Sequence, residues 1–145
     1  MSDFSLDVAN FAKAFEDGAE KAIRGTVIQL SASFVDSSPV DTGRFRANWF
    51  LTGQQQSAQV TASTDPSGAK TKQTMEGKAL SIKDWSVFTI TNNLPYANVI
   101  EYGGYGDGPL TTAGFSKQAP QGVVRVNIKR FNQLLEKEAR RLNDI

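Results

Sequence analysis

A long apolar stripe near the N-terminus constrains this fold more than any other feature of the sequence. Within residues 5–36, apolar side chains recur at steps of three, four or seven residues, which is typical of an amphipathic α-helix that buries one face. The stripe comprises Val8, Phe11, Phe15, Ala19, Ala22, Ile23, Leu30 and Phe34. Residues 37–39, Ser-Ser-Pro, predict the end of the helix, because proline disfavours the helical region for the residue before it.

Two glycines lie inside this predicted helix and each lowers its intrinsic stability by about 1 kcal/mol. The presence of Gly18 and Gly25 in the helix has two possible explanations, which are close packing against another element and a bend. We favour close packing. Two i,i+4 pairs of opposite charge, Asp17 with Lys21 and Glu20 with Arg24, are expected on the outer face of the helix.

The middle of the chain alternates strand-like and polar segments. Residues 49–52 and 57–62 predict two strands of a hairpin joined by residues 53–56, and residues 84–91 predict the clearest strand because they are rich in aromatic and β-branched side chains. Residues 63–80 are polar and turn-rich, which predicts an extended loop.

The C-terminal third predicts two helices around a glycine-rich loop. Residues 96–102 follow Pro95 and are expected to form a short helix, residues 103–118 a second long loop, and residues from about Pro120 onward one final helix. The final helix has an apolar stripe, namely Val124, Ile128, Phe131, Leu135 and Leu142.

These segments together predict a single α+β domain over residues 1–145. A long N-terminal helix and a C-terminal helix would pack on a small antiparallel β-sheet, with long loops. The residues expected to be buried between helices and sheet are Phe11, Phe15, Phe34, Trp49, Phe88, Ile90, Phe131 and Leu135.

The absence of two residue types narrows the possible chemistry. The chain has no cysteine and no histidine, which removes thiolate chemistry, the commonest general base and the commonest transition-metal ligand. We therefore expect no enzyme activity and no cofactor. The sequence also lacks an apolar run long enough to span a membrane and a signal-peptide pattern, so we expect a soluble protein made in a cytoplasm.

Two glycine-containing segments invite a functional reading. Asp41, Thr42 and Gly43 predict a structural turn, in which the Asp41 carboxylate or the Thr42 hydroxyl caps the short turn that follows. The glycines in residues 103–108 do not precede the Lys-Ser/Thr of a phosphate-binding loop, so a flexible interface loop is the better interpretation. The candidate interface side chains are Met75, Leu80, Tyr96, Tyr102, Leu110 and Phe115.

The last predicted helix is basic. Residues 125–144 contain six basic and three acidic side chains. This excess fits either a solvated face with cations near a helix C-terminus, or contact with DNA or an acidic partner. The candidate contacts are Arg125, Lys129, Arg130, Arg140 and Arg141.

Two motifs resemble one protein family. Residues 38–49, SPVDTGRFRANW, are similar to a signature of bacteriophage neck proteins in which a Pro-Val-Asp-Thr-Gly turn precedes a basic-apolar segment and a tryptophan. Residues 91–103, TNNLPYANVIEYG, resemble a second signature of that family, with its Pro-Tyr-Ala and Glu-Tyr-Gly elements. The chain departs from the family at Phe45, which stands where Leu is usual, and in the length of residues 63–80.

The family concerned comprises the tail-completion or head–tail joining proteins, of the lambda Z-like minor tail type. The resemblance implies a non-enzymatic virion protein of the tail or neck, assembled in the host cytoplasm. It implies a ring, six- or twelve-fold, around the DNA channel, with neighbours such as a portal adaptor or stopper and a tail terminator or tail tube. It further implies non-specific proximity to packaged DNA and no membrane partner.

Two other functions remain open from the residues alone. A small nucleic-acid-binding protein would use the basic last helix and exposed aromatics such as Trp49 and Trp85. A hydrolase would need a carboxylate pair, for example Asp41 with Glu101, held in one pocket with raised pKa values.

Overall fold

The computed structural model describes residues 16–143, which form an α+β fold. Its helices are α1 (Glu16–Ser37), α2 (Arg44–Ala47), α3 (Ala69–Ser81), α4 (Ala97–Tyr102), α5 (Val124–Ile128) and α6 (Phe131–Asn143). Its strands are β1 (Trp49–Thr52), β2 (Thr89–Asn92), β3 (Thr111–Thr112) and β4 (Phe115–Ser116). They form two separate two-stranded antiparallel sheets, β1–β2 and β3–β4.

Helix α1 is the central element, because α6 and α3 both pack against it. Its apolar stripe is buried as predicted, with Ile23, Leu30 and Phe34 each about 1% exposed, and Val27, which was not assigned to the stripe, is buried beside them. The helix ends at Ser37, two residues before Pro39, which confirms the predicted end. Val8, Phe11 and Phe15, also assigned to this helix, lie outside the described residues.

The expected core is largely confirmed. Phe34, Trp49, Phe88, Phe131 and Leu135 are buried in one hydrophobic cluster. Ile90 is only partly buried at its edge. In the cluster, the Trp49 ring lies between two others, with centroids 5.2 Å from Phe34 and 5.6 Å from Phe45.

The glycines of α1 differ in surroundings. A Cβ atom at Gly25 would lie 2.6 Å from Glu138 Oε2, so the close-packing interpretation is confirmed there. Among the described residues, nothing lies within 4 Å of such an atom at Gly18, so no packing partner for this glycine is found there. The expected Glu20–Arg24 ion pair forms at 2.9 Å, whereas the Asp17 side chain lies outside the described set.

The predicted hairpin between residues 49–52 and 57–62 is wrong. Strand β1 pairs instead with β2, in the register Trp49↔Asn92 to Thr52↔Thr89. Residues 57–62 have no strand partner in the part of the chain that the structure describes, and side-chain amides hold their backbone. The third predicted strand, residues 84–91, is also shorter than expected and shifted, since β2 covers Thr89–Asn92.

The predicted loop at residues 63–80 is wrong as well, because most of it is helix α3. Asp65 Oδ2 accepts hydrogen bonds from the Thr71 backbone N–H and hydroxyl, both at 2.7 Å, and so satisfies a free donor in the first turn. Met75 and Ala79 bury one face of the helix in the core. Its remaining positions are mostly polar, which left little apolar periodicity to detect.

The single C-terminal helix predicted from about Pro120 is in fact two helices. Helix α5 ends at Ile128 and α6 begins at Phe131, with Lys129 and Arg130 between them. Residues 103–118, predicted as a loop, contain the short β3–β4 hairpin. Helix α4 confirms the short helix expected at residues 96–102, beginning one residue later.

Candidate assembly surface

The first motif folds into a tight turn around Gly43. This residue has a φ of 92°, and a Cβ atom on it would lie 2.5 Å from the Pro66 nitrogen, so the position favours glycine. The Gly43 carbonyl accepts hydrogen bonds from Ala47 N and Asp65 N. Thr42 Oγ1 accepts the backbone N–H of Arg44 at 3.2 Å, which confirms the hydroxyl as the capping group.

Asp41, the other candidate for the cap, does not have that role. Its side chain is exposed and, in the described part of the chain, accepts no hydrogen bond. The short Thr42 hydroxyl, one residue nearer to α2, already reaches the Arg44 N–H, and the turn therefore needs no carboxylate.

The rest of the first motif ties α1 to the sheet. Trp49 Nε1 donates to Ser38 Oγ at 2.7 Å, and that hydroxyl donates to the Phe34 carbonyl at 2.6 Å. The Arg46 guanidinium donates to three backbone carbonyls, those of Asp36, Ser38 and Pro66. These polar side chains are thus committed to holding the backbone.

The second motif centres on the carboxylate of Glu101. Its Oε1 accepts the backbone N–H groups of Val123 at 2.8 Å and Val124 at 2.7 Å. Its Oε2 accepts the backbone N–H and Nε of Arg125, at 3.1 and 2.8 Å. The carboxylate therefore caps α5 and joins it to α4. At Gly122, with φ of 82°, a Cβ atom would lie 2.7 Å from the Glu101 carbonyl oxygen.

The electrostatics of Glu101 follow from these contacts. Burial pushes the pKa of the carboxyl up, but the N–H groups of Val123 and Val124 and the Arg125 guanidinium outweigh it and hold the pKa below its ordinary value. A hydrolytic acid with a raised pKa is not what this arrangement provides. Glu101 therefore lacks the raised pKa that the hydrolase hypothesis predicted for it.

The two motifs meet in space. The rings of Phe45 and Tyr96 have centroids 6.0 Å apart, and Asn92 Nδ2 donates to the Phe45 carbonyl at 3.0 Å. Trp49 also lies opposite Asn92 in the β1–β2 ladder. Two segments that are 40 residues or more apart in sequence thus form one packed unit.

Beside this unit lies an open groove of about 1000 Å³. Its walls come from the β1–β2 sheet, α4, α5 and the β3–β4 hairpin. Its lining includes the apolar or aromatic side chains of Phe45, Ile90, Ile100, Tyr102 and Phe115. Arg125 and Lys129 line it on the α5 side.

The six candidate interface residues separate into three groups. Tyr102, Leu80 and Leu110 are exposed, at 65%, 60% and 77%. Tyr96 and Phe115 are partly buried. Met75 is 1% exposed and belongs to the core, so its assignment to an interface is wrong: it faces inward on α3, a helix that the sequence did not reveal.

The candidate basic residues are mostly paired. Arg125 binds Glu101 and lies over the Tyr102 ring at 4.7 Å, Arg141 binds the buried Glu138 at 2.8 Å, and Arg140 is 3.7 Å from Glu136. Lys129 and Arg130 are exposed and form no ion pair within residues 16–143. Of the aromatics proposed for nucleic-acid contact, Trp49 is buried, which is a further correction.

Comparison with known proteins returned no match to any family model, curated protein or solved structure. Among the described residues, no group of three or more acidic side chains is placed to share a metal ion. No helix of that same part of the chain is both long and apolar enough to cross a membrane.

Proposed function

We propose that this chain is a structural subunit of the neck of a tailed bacteriophage, which joins or completes the tail as part of a ring around the DNA channel. The observation that carries the proposal is the packing of Phe45 on Tyr96, supported by the Asn92 hydrogen bond to the Phe45 carbonyl. These contacts join the two segments that resemble the neck-protein signatures. A chance similarity in two unrelated segments would not require them to meet.

The roles of the motif residues support the same function. Thr42, Arg46 and Glu101 hold backbone groups in place, and Gly43 meets a steric demand. A joining protein needs a rigid body that presents surfaces to its neighbours, and it needs no catalytic group. The motifs are therefore interpreted as the framework of the subunit.

The exposed apolar side chains supply the surfaces that such a subunit would use. Tyr102 and Leu110 lie at the start and in the middle of the segment around the β3–β4 hairpin, and Tyr102 also lines the groove. Burying apolar side chains of this size at an interface is favourable by about 25 cal/mol per Å² removed from water. We assign this region to contacts in the ring, six- or twelve-fold, or with adjoining neck and tail proteins.

The low net charge of the subunit would allow DNA to pass through the channel without binding tightly. The net charge is +1, and Lys129 and Arg130 are the candidate basic residues that form no ion pair within the described chain. A near-neutral subunit exerts little attraction on a polyanion moving through a channel. The alternative function, a dedicated nucleic-acid-binding protein, has less support. Trp49 is buried and therefore offers no stacking surface, and Arg125 and Arg141 are already in ion pairs.

Immunogold electron microscopy of particles that carry the chain tests the proposal. We expect label at the junction of head and tail, and none along the capsid or at the tail tip. Label confined to the capsid or tail tip, or particles free of the protein, would overturn it.

A further inference from the structure

Residues 57–62 show a strand-like alternation in their backbone contacts. The carbonyls of Ser57 and Gln59 accept hydrogen bonds from Asn93 Nδ2, at 2.8 and 3.1 Å. Two residues further on, the Thr61 carbonyl and N–H bond to the Asn48 amide, at 3.0 and 2.9 Å. The backbone groups that bond to Asn93 and Asn48 thus belong to every second residue, as on one edge of a β-strand. Two side-chain amides take the place of a neighbouring strand.

The intervening residues leave the other edge open. Ala58, Val60 and Ala62 have no backbone hydrogen bond within residues 16–143, and their side chains are exposed, with Val60 at 49%. An edge of free N–H and C=O groups beside an apolar stripe is a template for pairing with another strand.

The sequence offers this edge none of the usual protection. From residue 47 to residue 64 there is no charged side chain and no proline. Monomeric proteins commonly guard a free edge with lysine, proline or a covering element, because it otherwise invites association. An unguarded edge is expected where association is the normal state.

We propose that two copies of this chain pair through residues 58–62 as antiparallel strands about a twofold axis at Val60. The segment has a near-palindromic pattern, Ala-x-Val-x-Ala, so this register places Val60 opposite its counterpart and Ala58 opposite Ala62. Residues 58–62 carry no charge that could select an oppositely charged partner. The same uncharged segment of a second copy is complementary to them. Two-fold contacts of this kind are the commonest among homo-oligomers.

This pairing is a property of the free protein and does not depend on a neck function. It uses none of residues 102–118. If the pairing failed, the label at the head–tail junction would be unaffected. If the label were absent from that junction, the pairing of two copies would likewise be unaffected.

A cysteine at position 60 tests the register directly, because the natural chain has no cysteine. In the proposed register the two Cα atoms at position 60 are about 5.5 Å apart, which is within disulfide range. We expect Val60→Cys to form a covalent dimer rapidly on treatment with diamide. Gln59→Cys is the matched control, since its two copies would be offset beyond about 7 Å and should cross-link poorly. Equal cross-linking of both variants would overturn the register.

Charge at the same position tests the association itself. We expect sedimentation equilibrium of the unmodified protein to show a monomer–dimer equilibrium at micromolar concentrations, and Val60→Lys to weaken it at least tenfold. Gln55→Lys adds the same charge at an exposed residue outside the paired segment and should leave dimerisation unchanged. A protein that stays monomeric at all concentrations, or an oligomer that Val60→Lys does not weaken, would overturn the proposal.

Discussion

Arg125 contacts Glu101 three times: its Nε lies 2.8 Å from Glu101 Oε2, its backbone N–H donates to the same oxygen at 3.1 Å, and its Nη2 donates to the Glu101 carbonyl. With Val123 and Val124 on the other oxygen, one carboxylate satisfies three backbone donors at the start of α5. The glutamate of the second motif is therefore a fixed joint between α4 and the C-terminal helices.

Replacing this carboxylate should destabilise the fold. Glu101→Gln keeps the size of the side chain but loses the charge and one acceptor, so we expect the free energy of unfolding to fall by about 1–3 kcal/mol. Urea denaturation followed by circular dichroism measures the loss. Glu76→Gln, at an exposed position on α3, is the control and should change stability by less than about 0.5 kcal/mol. An unaltered midpoint of urea denaturation for Glu101→Gln would contradict the role of this carboxylate in joining α4 to α5.

The same carboxylate should contribute to the pH dependence of stability. Because the folded-state pKa of Glu101 lies below its ordinary value, its ionised form stabilises the folded protein. The contribution should be complete above the unfolded-state pKa, about 4.3, and be lost as pH falls through the lower folded-state pKa. We expect the stability difference between wild type and Glu101→Gln to be constant near neutral pH and to shrink below about pH 4. A difference that grows on acidification would contradict the sign.

Two glycine substitutions in α1 should have opposite effects. Gly18→Ala meets no neighbour among the described residues and should stabilise the protein by about 0.5–1 kcal/mol through helix propensity. Gly25→Ala would displace Glu138, a buried carboxylate that accepts hydrogen bonds from Gln29 and Arg141. We expect this second variant to melt below wild type in calorimetry. Equal stabilisation by both substitutions would show that Glu138 can move at no cost.

The turn of the first motif should depend on its hydroxyl. Thr42→Ala removes the acceptor for the Arg44 N–H and should lower stability by about 1 kcal/mol. Asp41→Ala should leave the melting temperature unchanged, since the carboxylate accepts no hydrogen bond in the described structure. A lower melting temperature for Asp41→Ala than for Thr42→Ala would reverse the assignment. Loss of assembly by folded Asp41→Ala would instead identify that side chain as a contact.

The elements predicted correctly from sequence are those with a strong local signal. Helix α1 has a long apolar stripe and a proline after its end, and α4 follows Pro95 and precedes two glycines. The α+β class followed from these elements and the strand-like segments. Helix α3 was missed because Met75 and Ala79 supply most of its buried face and its cap, Asp65, lies within a turn-rich run.

The second source of error in the sequence-based prediction was the choice of the strand that pairs with β1. Residues 57–62 have strand composition, but Asn48 and Asn93 bind their backbone, and β1 pairs instead with the distant β2, in the register Trp49↔Asn92 to Thr52↔Thr89. Nothing local in the sequence indicates such a long-range contact. For the same reason, the sequence placed Glu101 in a motif without revealing that it caps α5.

Genetic complementation measures the central claim most directly. In a phage that encodes this chain, particles produced without it should be DNA-filled heads and separate tails, which electron microscopy distinguishes from joined virions. Supplying the intact chain from a plasmid should restore joined particles and infectivity. If particles without the chain are joined and infectious at normal titre, the chain is not a neck subunit and the account is wrong.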